Sequence, residues 1–194
     1  MNNRPNFYLQ FVSPDHPVEL IPTDHDLIPA FKEFPDILME RYAAFALQAL
    51  ISKLHAHGKI VPVSGFRTQQ EQQKIWDDTI KQEGLVYTQK YVAIPGCSEH
   101  QTGLAIDLAL NKEKIDFICP SFPNEGICHQ FQQLAPSYGF ILRYPKGKEQ
   151  ITKIAWEPWH FRYVGTPHSQ IISAHNLTLE EYLLNTYASK ACIK

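Results

Sequence analysis

Three short stretches carry the side chains that could do chemistry. The first, Ser98-Glu99-His100-Gln101-Thr102-Gly103-Leu104-Ala105-Ile106-Asp107, sets an aspartate inside an otherwise apolar run, Leu104 to Leu110. A lone buried carboxylate is costly unless it is paired or bound to a metal. His100 precedes that run at the end of a loop containing Pro95 and Gly96. A divalent cation held by one imidazole and one carboxylate would satisfy both groups, and so would an Asp–His hydrogen bond without metal. The second stretch is Trp156-Glu157-Pro158-Trp159-His160. Proline excludes a helix interior, so this is not the helical His-Glu-x-x-His arrangement. Strand alternation would put Glu157 and His160 on opposite faces, so a shared site requires a bend near Pro158. The two tryptophans predict a walled, partly dry pocket, which raises a carboxylate's pKa and suits a general base. An edge strand with core aromatics explains the tryptophans but not the glutamate. The third stretch is Ser64-Gly65-Phe66-Arg67-Thr68-Gln69-Gln70-Glu71-Gln72, with Arg67 immediately before a helix N-cap. A guanidinium there can bind a carboxylate or an oxyanion, helped by the helix N-terminus, or can form a surface ion pair.

The other histidines, His16, His25, His55, His57, His129, His168 and His175, are expected as surface or cap groups. His55 and His57 do not share a helix face and are discounted as a metal pair. The four cysteines, Cys97, Cys119, Cys128 and Cys192, lack zinc-ribbon spacing and are expected to be free thiols.

These groups must be positioned by a chain of 194 residues, which predicts a single domain over 1–194. A hydrophobic fraction of 44% against 20% charged residues excludes disorder as the main state. The net charge of −2 leaves no electrostatic footprint for nucleic acid or an anionic membrane. Met1 to Phe7 shows no signal-peptide pattern and no apolar run approaches a membrane span, which predicts a soluble cytoplasmic protein. Residues 1–35 are proline-rich and predict an extended, irregular arm lying over the domain.

Met39 to His57 predicts a helix, with Tyr42, Phe45, Ala46, Ala49, Leu50 and Leu54 at helical spacing and Gly58 as its stop. Thr68-Gln69-Gln70-Glu71 has capping-box form and opens a helix to about Glu83, stopped by Gly84. A further helix is expected over Asn124 to Tyr138. Thr166-Pro167 opens another with cap and proline, and a last helix is capped by Thr178 and Glu181. Strands are expected at Ile60–Ser64, Leu104–Leu110, Phe140–Tyr144, Lys153–Trp156 and Phe161–Val164. This mixture, without regular βαβ alternation, predicts an α+β fold with a small central, mostly antiparallel sheet flanked by helices.

Taken together, Ser-x-His-x-x-Gly-x-Ala-x-Asp at 98–107, Glu-x-x-His at 157–160 and Gly-Phe-Arg-Thr-x-x-Glu-Gln at 65–72 resemble one family. They are similar to the zinc D-alanyl-D-alanine peptidases of the VanX/VanY type. Pro95 to His100 and Glu157 to Gly165 look most like the bifunctional VanXY branch associated with vancomycin resistance. The resemblance spans about residues 60–170, taken as the catalytic core. It implies a hedgehog/D-Ala-D-Ala-peptidase-like scaffold and one zinc ion bound by His100, Asp107 and His160. It further implies Glu157 as catalytic base, Arg67 as oxyanion stabiliser, and Ser98 and Gln72 near the substrate's terminal carboxylate. Three protein ligands leave an open fourth position, the catalytic rather than the structural zinc pattern. Cys97 is implied to be a neighbour of the site, not a ligand. The implied substrates are small peptides, D-Ala-D-Ala and muramyl pentapeptide precursors. Relatives on the same scaffold include L,D-carboxypeptidases and endopeptidases, and hedgehog domains that only bind. Retention of Glu157 and Arg67 argues against a purely binding role, since holding metal requires neither.

Overall fold

Two apolar runs separated by two residues build the first regular unit. The computed structural model describes residues 5–191. After one helical turn, α1 (Pro5–Tyr8), and an irregular stretch, β1 (Leu27–Phe31) and β2 (Phe34–Glu40) pair antiparallel across Lys32 and Glu33. This hairpin corrects the expectation of an irregular arm over 1–35. Pro29 and Pro35 concealed it, because proline in a run reads against a strand. In a two-stranded ribbon both strands are edges, and a register shift between Pro29 and Phe31 accommodates the rest.

The first long helix, α2 (Arg41–Lys53), starts where β2 ends, so Met39 and Glu40 belong to the strand and not to the predicted helix. Glu40 caps it, Oε2 accepting from the backbone N–H groups of Tyr42 and Ala43 at 2.9 and 3.1 Å. The helix ends at Lys53, before the predicted stop at Gly58. Its buried face is Ala43, Ala44, Leu47, Leu50 and Ile51, while Tyr42 and Phe45 are more than half exposed. Two stripes at helical spacing run along this helix. The one with small alanines lets the helix axis approach the core, and helical period alone does not distinguish them.

Past β3 (Ile60–Ser64), the predicted capping box is present at α3 (Gln69–Glu83). Thr68 N–H donates to Glu71 Oε2 at 2.7 Å and Glu71 N–H donates to Thr68 Oγ1 at 3.2 Å. Gly84, at φ 84°, closes α3 and leads into a short helix not expected from the sequence, α4 (Leu85–Tyr91). There follow β4 (Ala105–Leu110), α5 (Gly126–Leu134) with a 3-10 turn over 135–138, and β5 (Phe140–Tyr144). Then come α6 (Glu149–Thr152), β6 (Glu157–Tyr163), α7 (His168–Ala174) and α8 (Leu179–Ala191). The predicted strand over Lys153 to Trp156 is not formed; those residues are an irregular approach to β6. Pro167, not Thr166, is the N-cap residue of α7. Thr178 and Glu181 form the reciprocal cap of α8 as predicted, at 2.8 and 3.2 Å.

The main sheet has the order β3-β4-β6-β5, and every neighbouring pair is antiparallel. This is the predicted α+β class with an antiparallel sheet flanked by helices. Ile106, Leu108 and Phe161 from the two central strands pack with α2, α5 and the hairpin into the principal core. A smaller cluster of Ile141, Val164, Ile172, Leu179, Tyr182 and Leu183 seats α7 and α8. Because side chains alternate along a strand, the face opposite Ile106 and Phe161 presents Asp107, His160 and Arg162. That face builds the cleft.

Candidate functional site

The register of the central strands brings together side chains that could hold a metal ion. Asp107 in β4 is the direct cross-strand partner of His160 in β6, with Ser64 of β3 on its other side. His100 comes from the 3-10 turn Glu99–Thr102, which Gly103 closes at φ 68°, just before β4. His100 Nε2 lies 3.2 Å from Asp107 Oδ2, and His160 Nδ1 lies 3.0 Å from Asp107 Oδ1. Among the described residues these three form a group whose potential ligand atoms all lie within 4.8 Å of one another. All three are buried.

The donor set fits a transition-metal ion. Asp107 Oδ1 is buried and makes no aligned hydrogen bond, despite the nearby His160 nitrogen. Two imidazole nitrogens and one carboxylate oxygen suit zinc, and the outer nitrogen of each ring has its own partner. His100 Nδ1 is 2.7 Å from the Gly65 carbonyl, and His160 Nε2 is 3.4 Å from Glu99 Oε2. That leaves His100 Nε2 and His160 Nδ1 facing Asp107. Burial, then the Arg67 guanidinium, push His100 down to about 4, so its ring is neutral at ordinary pH. Burial also disfavours charge on His160, but the close carboxylates of Asp107 and Glu99 overturn this and raise it to about 9. For Asp107 burial is opposed by the two histidines, which hold its carboxyl well below the usual range.

Glu157 lies on the same side, its Oε2 3.8 Å from His160 Nδ1. The bend required near Pro158 is present. β6 uses the five residues from Phe161 to Glu157 where β5 uses only the three from Leu142 to Tyr144, so two extra residues are accommodated. Burial, opposed by His160 and reinforced by Asp107, pushes Glu157 up to about 8. Of the two flanking tryptophans only Trp159 walls the cleft. Trp156 is 41% exposed and carries Lys146 Nζ 5.5 Å from its ring centroid, correcting the expectation that both enclose the site.

The loop from Gly65 to Thr68 brings Arg67 in from the side. Its backbone is pinned at two points: Phe66 N–H donates to the Leu38 carbonyl at 2.6 Å and Arg67 N–H to the His100 carbonyl at 3.2 Å. Gly65 has no room for a Cβ, which would meet the Leu38 carbonyl. Arg67 Nε is buried without a hydrogen-bond partner, beside Asp107 and Glu157. It lines the cleft with Gln72, Ser98, Tyr144 and Trp159. Gln72 is fully buried in the first turn of α3. Its Nε2 donates to the Ala93 carbonyl at 2.7 Å, which leaves Oε1 unpartnered. Cys97 faces away, its Sγ 3.8 Å from the Pro14 carbonyl, and Cys97, Cys119 and Cys128 are free; Cys192 lies outside the described residues.

The sequence reading missed three charged residues that support the site. Glu99 is 3% exposed; its Oε1 accepts from Arg143 Nε at 2.8 Å and pairs with Arg162 Nη1 at 2.9 Å. Burial pushes the Glu99 carboxyl up, but the two guanidiniums overturn that and hold it well below the usual range. Arg143 and Arg162 interrupt apolar strands just as Asp107 does, and that signal could have found them. None of the remaining histidines lines this cleft; His57, for example, bonds Ser52 and His129 bonds Asn124.

The architecture has counterparts among known proteins. Residues 36–166 match the family model VanY: D-alanyl-D-alanine carboxypeptidase. The chain is 45% identical over 175 residues to the bifunctional D-Ala-D-Ala dipeptidase and D-Ala-D-Ala carboxypeptidase VanXYC of Enterococcus gallinarum, covering 90% of this chain and 92% of that one. A solved vancomycin-resistance D,D-dipeptidase, VanXYg in complex with a D-Ala-D-Ala phosphinate analogue, superposes with a TM-score of 0.88 at 50% identity. That match covers 91% of this chain and 70% of that one. The D,D-pentapeptidase VanY from a VanB-type resistance cassette, in complex with Zn(II), matches with a TM-score of 0.70 at 30% identity, over 91% of this chain and 99% of that one. The chain belongs to the VanY family of D-alanyl-D-alanine carboxypeptidases.

Proposed function

We propose that the protein is a zinc peptidase that hydrolyses D-Ala-D-Ala and also removes the C-terminal D-alanine from cell-wall precursor pentapeptides. Loss of those ends would confer vancomycin resistance. The observation that carries this reading is the convergence of His100, Asp107 and His160 with a buried carboxylate, Glu157, 3.8 Å from His160 Nδ1. One zinc ion per chain would be held by His100 Nε2, Asp107 and His160 Nδ1. When bound, zinc supplies a Lewis acid that polarises the scissile carbonyl and brings the pKa of a coordinated water toward ~7. Glu157, whose pKa burial has raised, accepts the proton of the attacking water and returns it to the departing amine nitrogen. Arg67 donates to the oxygen that gains charge as the carbonyl becomes tetrahedral.

Ser98 and Gln72 divide the substrate's terminal groups. The Ser98 hydroxyl can donate to the terminal carboxylate, beside the positive potential of Arg67. Gln72 gives one of its two amide hydrogens to the Ala93 carbonyl, and its unpartnered Oε1 can accept from a substrate N–H. Both substrates would be met in the cytoplasm, where precursors are assembled. No helix among the described residues is long and apolar enough to cross a membrane. Turnover of the dipeptide and of a muramyl pentapeptide by the same zinc-loaded preparation tests this reading. D-Alanine should appear from both. A preparation active on neither contradicts the proposal, and one active only on L,D-linked ends would reassign it to an L,D-carboxypeptidase.

Two consequences can be measured in the same preparation. Arg67→Ala should lower kcat by about 10²–10³, the usual effect of removing one oxyanion donor, while leaving zinc affinity within about threefold. Equal losses in kcat and in metal binding would show that Arg67 only maintains the fold. The second consequence concerns pH. Without metal, His160 carries a proton up to about pH 9, while His100 is neutral above about 4. Zinc must displace the His160 proton. Apparent zinc affinity should therefore rise about tenfold per pH unit between pH 6 and 8 and flatten above 9. Chelator-competition titrations giving a flat profile from pH 6 to 8 would contradict the assignment of His160.

A further inference from the structure

An imidazole ring can present its two nitrogens to a site in two ways, related by a half-turn about the Cβ–Cγ bond. That torsion is broad and roughly two-fold, so packing alone discriminates weakly between them. His160 is held in plane by aromatic neighbours: the Tyr144 ring centroid is 4.9 Å away and the His100 ring 5.1 Å away at 85°. These contacts fix the plane of the ring. They do not select which edge faces Asp107, since the flipped ring has nearly the same shape. The group that can select is Glu99, whose Oε2 is 3.4 Å from Nε2. With the Nε2 proton engaged there, Nδ1 is the nitrogen left facing Asp107, at 3.0 Å.

Glu99 is itself held from two directions. Arg143 binds its Oε1 through Nε and turns its other two nitrogens, at 2.9 and 2.8 Å, onto both carboxylate oxygens of Glu180 in α8. Arg162 pairs with the same Oε1 and donates from Nη2 to the backbone carbonyls of Tyr8 and Gln10, at 3.2 and 2.8 Å. Planar forks of this kind fix direction as well as charge. Tyr8, Gln10 and Glu180 all lie outside the segment that matches the VanY family model, residues 36–166. The N-terminal segment and the last helix of this chain therefore converge on one carboxylate behind His160.

We propose that Glu99 is a positioning residue that selects the ring orientation of His160, and that Glu180 of α8, acting through Arg143, holds Glu99 in place. The inference rests on the reading of His160 as a metal ligand. It makes the C-terminal helix a working part of the metal site, and it predicts that changes in α8 reach the metal without touching the cleft.

Zinc affinity by chelator competition tests the proposal, with thermal unfolding of the zinc-free protein measured alongside. Glu99→Gln keeps an acceptor but loses the charge that anchors both arginines. It should weaken zinc by about ten- to hundredfold, the usual range for an outer partner of a ligating histidine. Glu180→Gln should weaken it in the same direction, by about three- to tenfold. Glu181→Gln is the control. It removes the charge that pairs with Lys148, at 3.0 Å, keeps an amide oxygen that can accept the Thr178 N–H of the α8 cap, and does not reach Arg143. Its zinc affinity should match the wild type even if its unfolding temperature falls. In the zinc-loaded wild type, nitrogen-15 spectra should show a His160 Nε2 proton that exchanges slowly, and faster exchange in Glu180→Gln. If Glu99→Gln does not fold, Glu180→Gln with its control decides. Equal zinc affinity in Glu180→Gln and wild type, or equal losses in Glu180→Gln and Glu181→Gln, would overturn the proposal. A wild-type chain that binds no zinc at all would instead overturn the metal reading, and this inference with it.

Discussion

Glu157→Gln should bind zinc as tightly as the wild type, within about threefold, and lose turnover of D-Ala-D-Ala by about 10²–10⁴, the range a positioned general base contributes. The substitution keeps the size of the side chain, so the packing around Tyr144 and Trp159 should survive. It removes a buried carboxylate that lies 3.8 Å from His160 Nδ1. The carboxylate's pKa is displaced upward to about 8 by burial, with Asp107 adding to the effect against His160 and Arg67. An ion at the three ligands would add positive charge nearby and draw it back toward neutrality, where a base both accepts and returns a proton efficiently. Loss of zinc together with activity would make Glu157 a ligand. Retained activity would remove it from the mechanism.

Asp107→Ala should abolish tight zinc binding, by more than the roughly 10–100-fold that removal of an outer partner costs, and turnover should fall to background with it. Asp107 is the only anionic member of the three, and both imidazoles face it, at 3.2 and 3.0 Å. Without it, His100 and His160 remain as two neutral donors with no counter-charge for a divalent ion. The zinc-free variant should still fold, because Ile106 and Leu108, on the other face of β4, keep their places in the core. A variant that holds zinc normally by competition titration would contradict the assignment. Loss of folding in the zinc-free state would mean that Asp107 is chiefly a structural partner of the two histidines.

The site was legible in the sequence to the extent that chemistry interrupts pattern. Asp107 stood out as a charge in an apolar strand, and Glu157 as a carboxylate that core packing does not explain. Pro158 marked the bend that lets Glu157 and His160 share a face, and the register shift in β6 supplies it. Glu99 was hidden because it sits beside His100 in a loop, where charge is ordinary. Its role depends on Arg143 and Arg162, which are distant in sequence and meet only across the sheet. The fold was legible where periodicity came with a stop or cap, as at Thr68–Glu71 with Gly84 and at Thr178–Glu181. It was not where proline masked pairing, as in the hairpin of β1 and β2. In α2 the period identified the helix but favoured Tyr42 and Phe45 over the face that packs, because the buried stripe uses Ala43 and Ala44 for close approach.

The most direct test is a zinc titration of the metal-free protein, with D-alanine released from D-Ala-D-Ala as the readout. Release should rise from background, reach its plateau at about one equivalent of zinc per chain, and vanish again on chelation, as a single three-ligand catalytic site requires. A zinc-replete protein that releases no D-alanine, or release that is indifferent to zinc, would contradict the account.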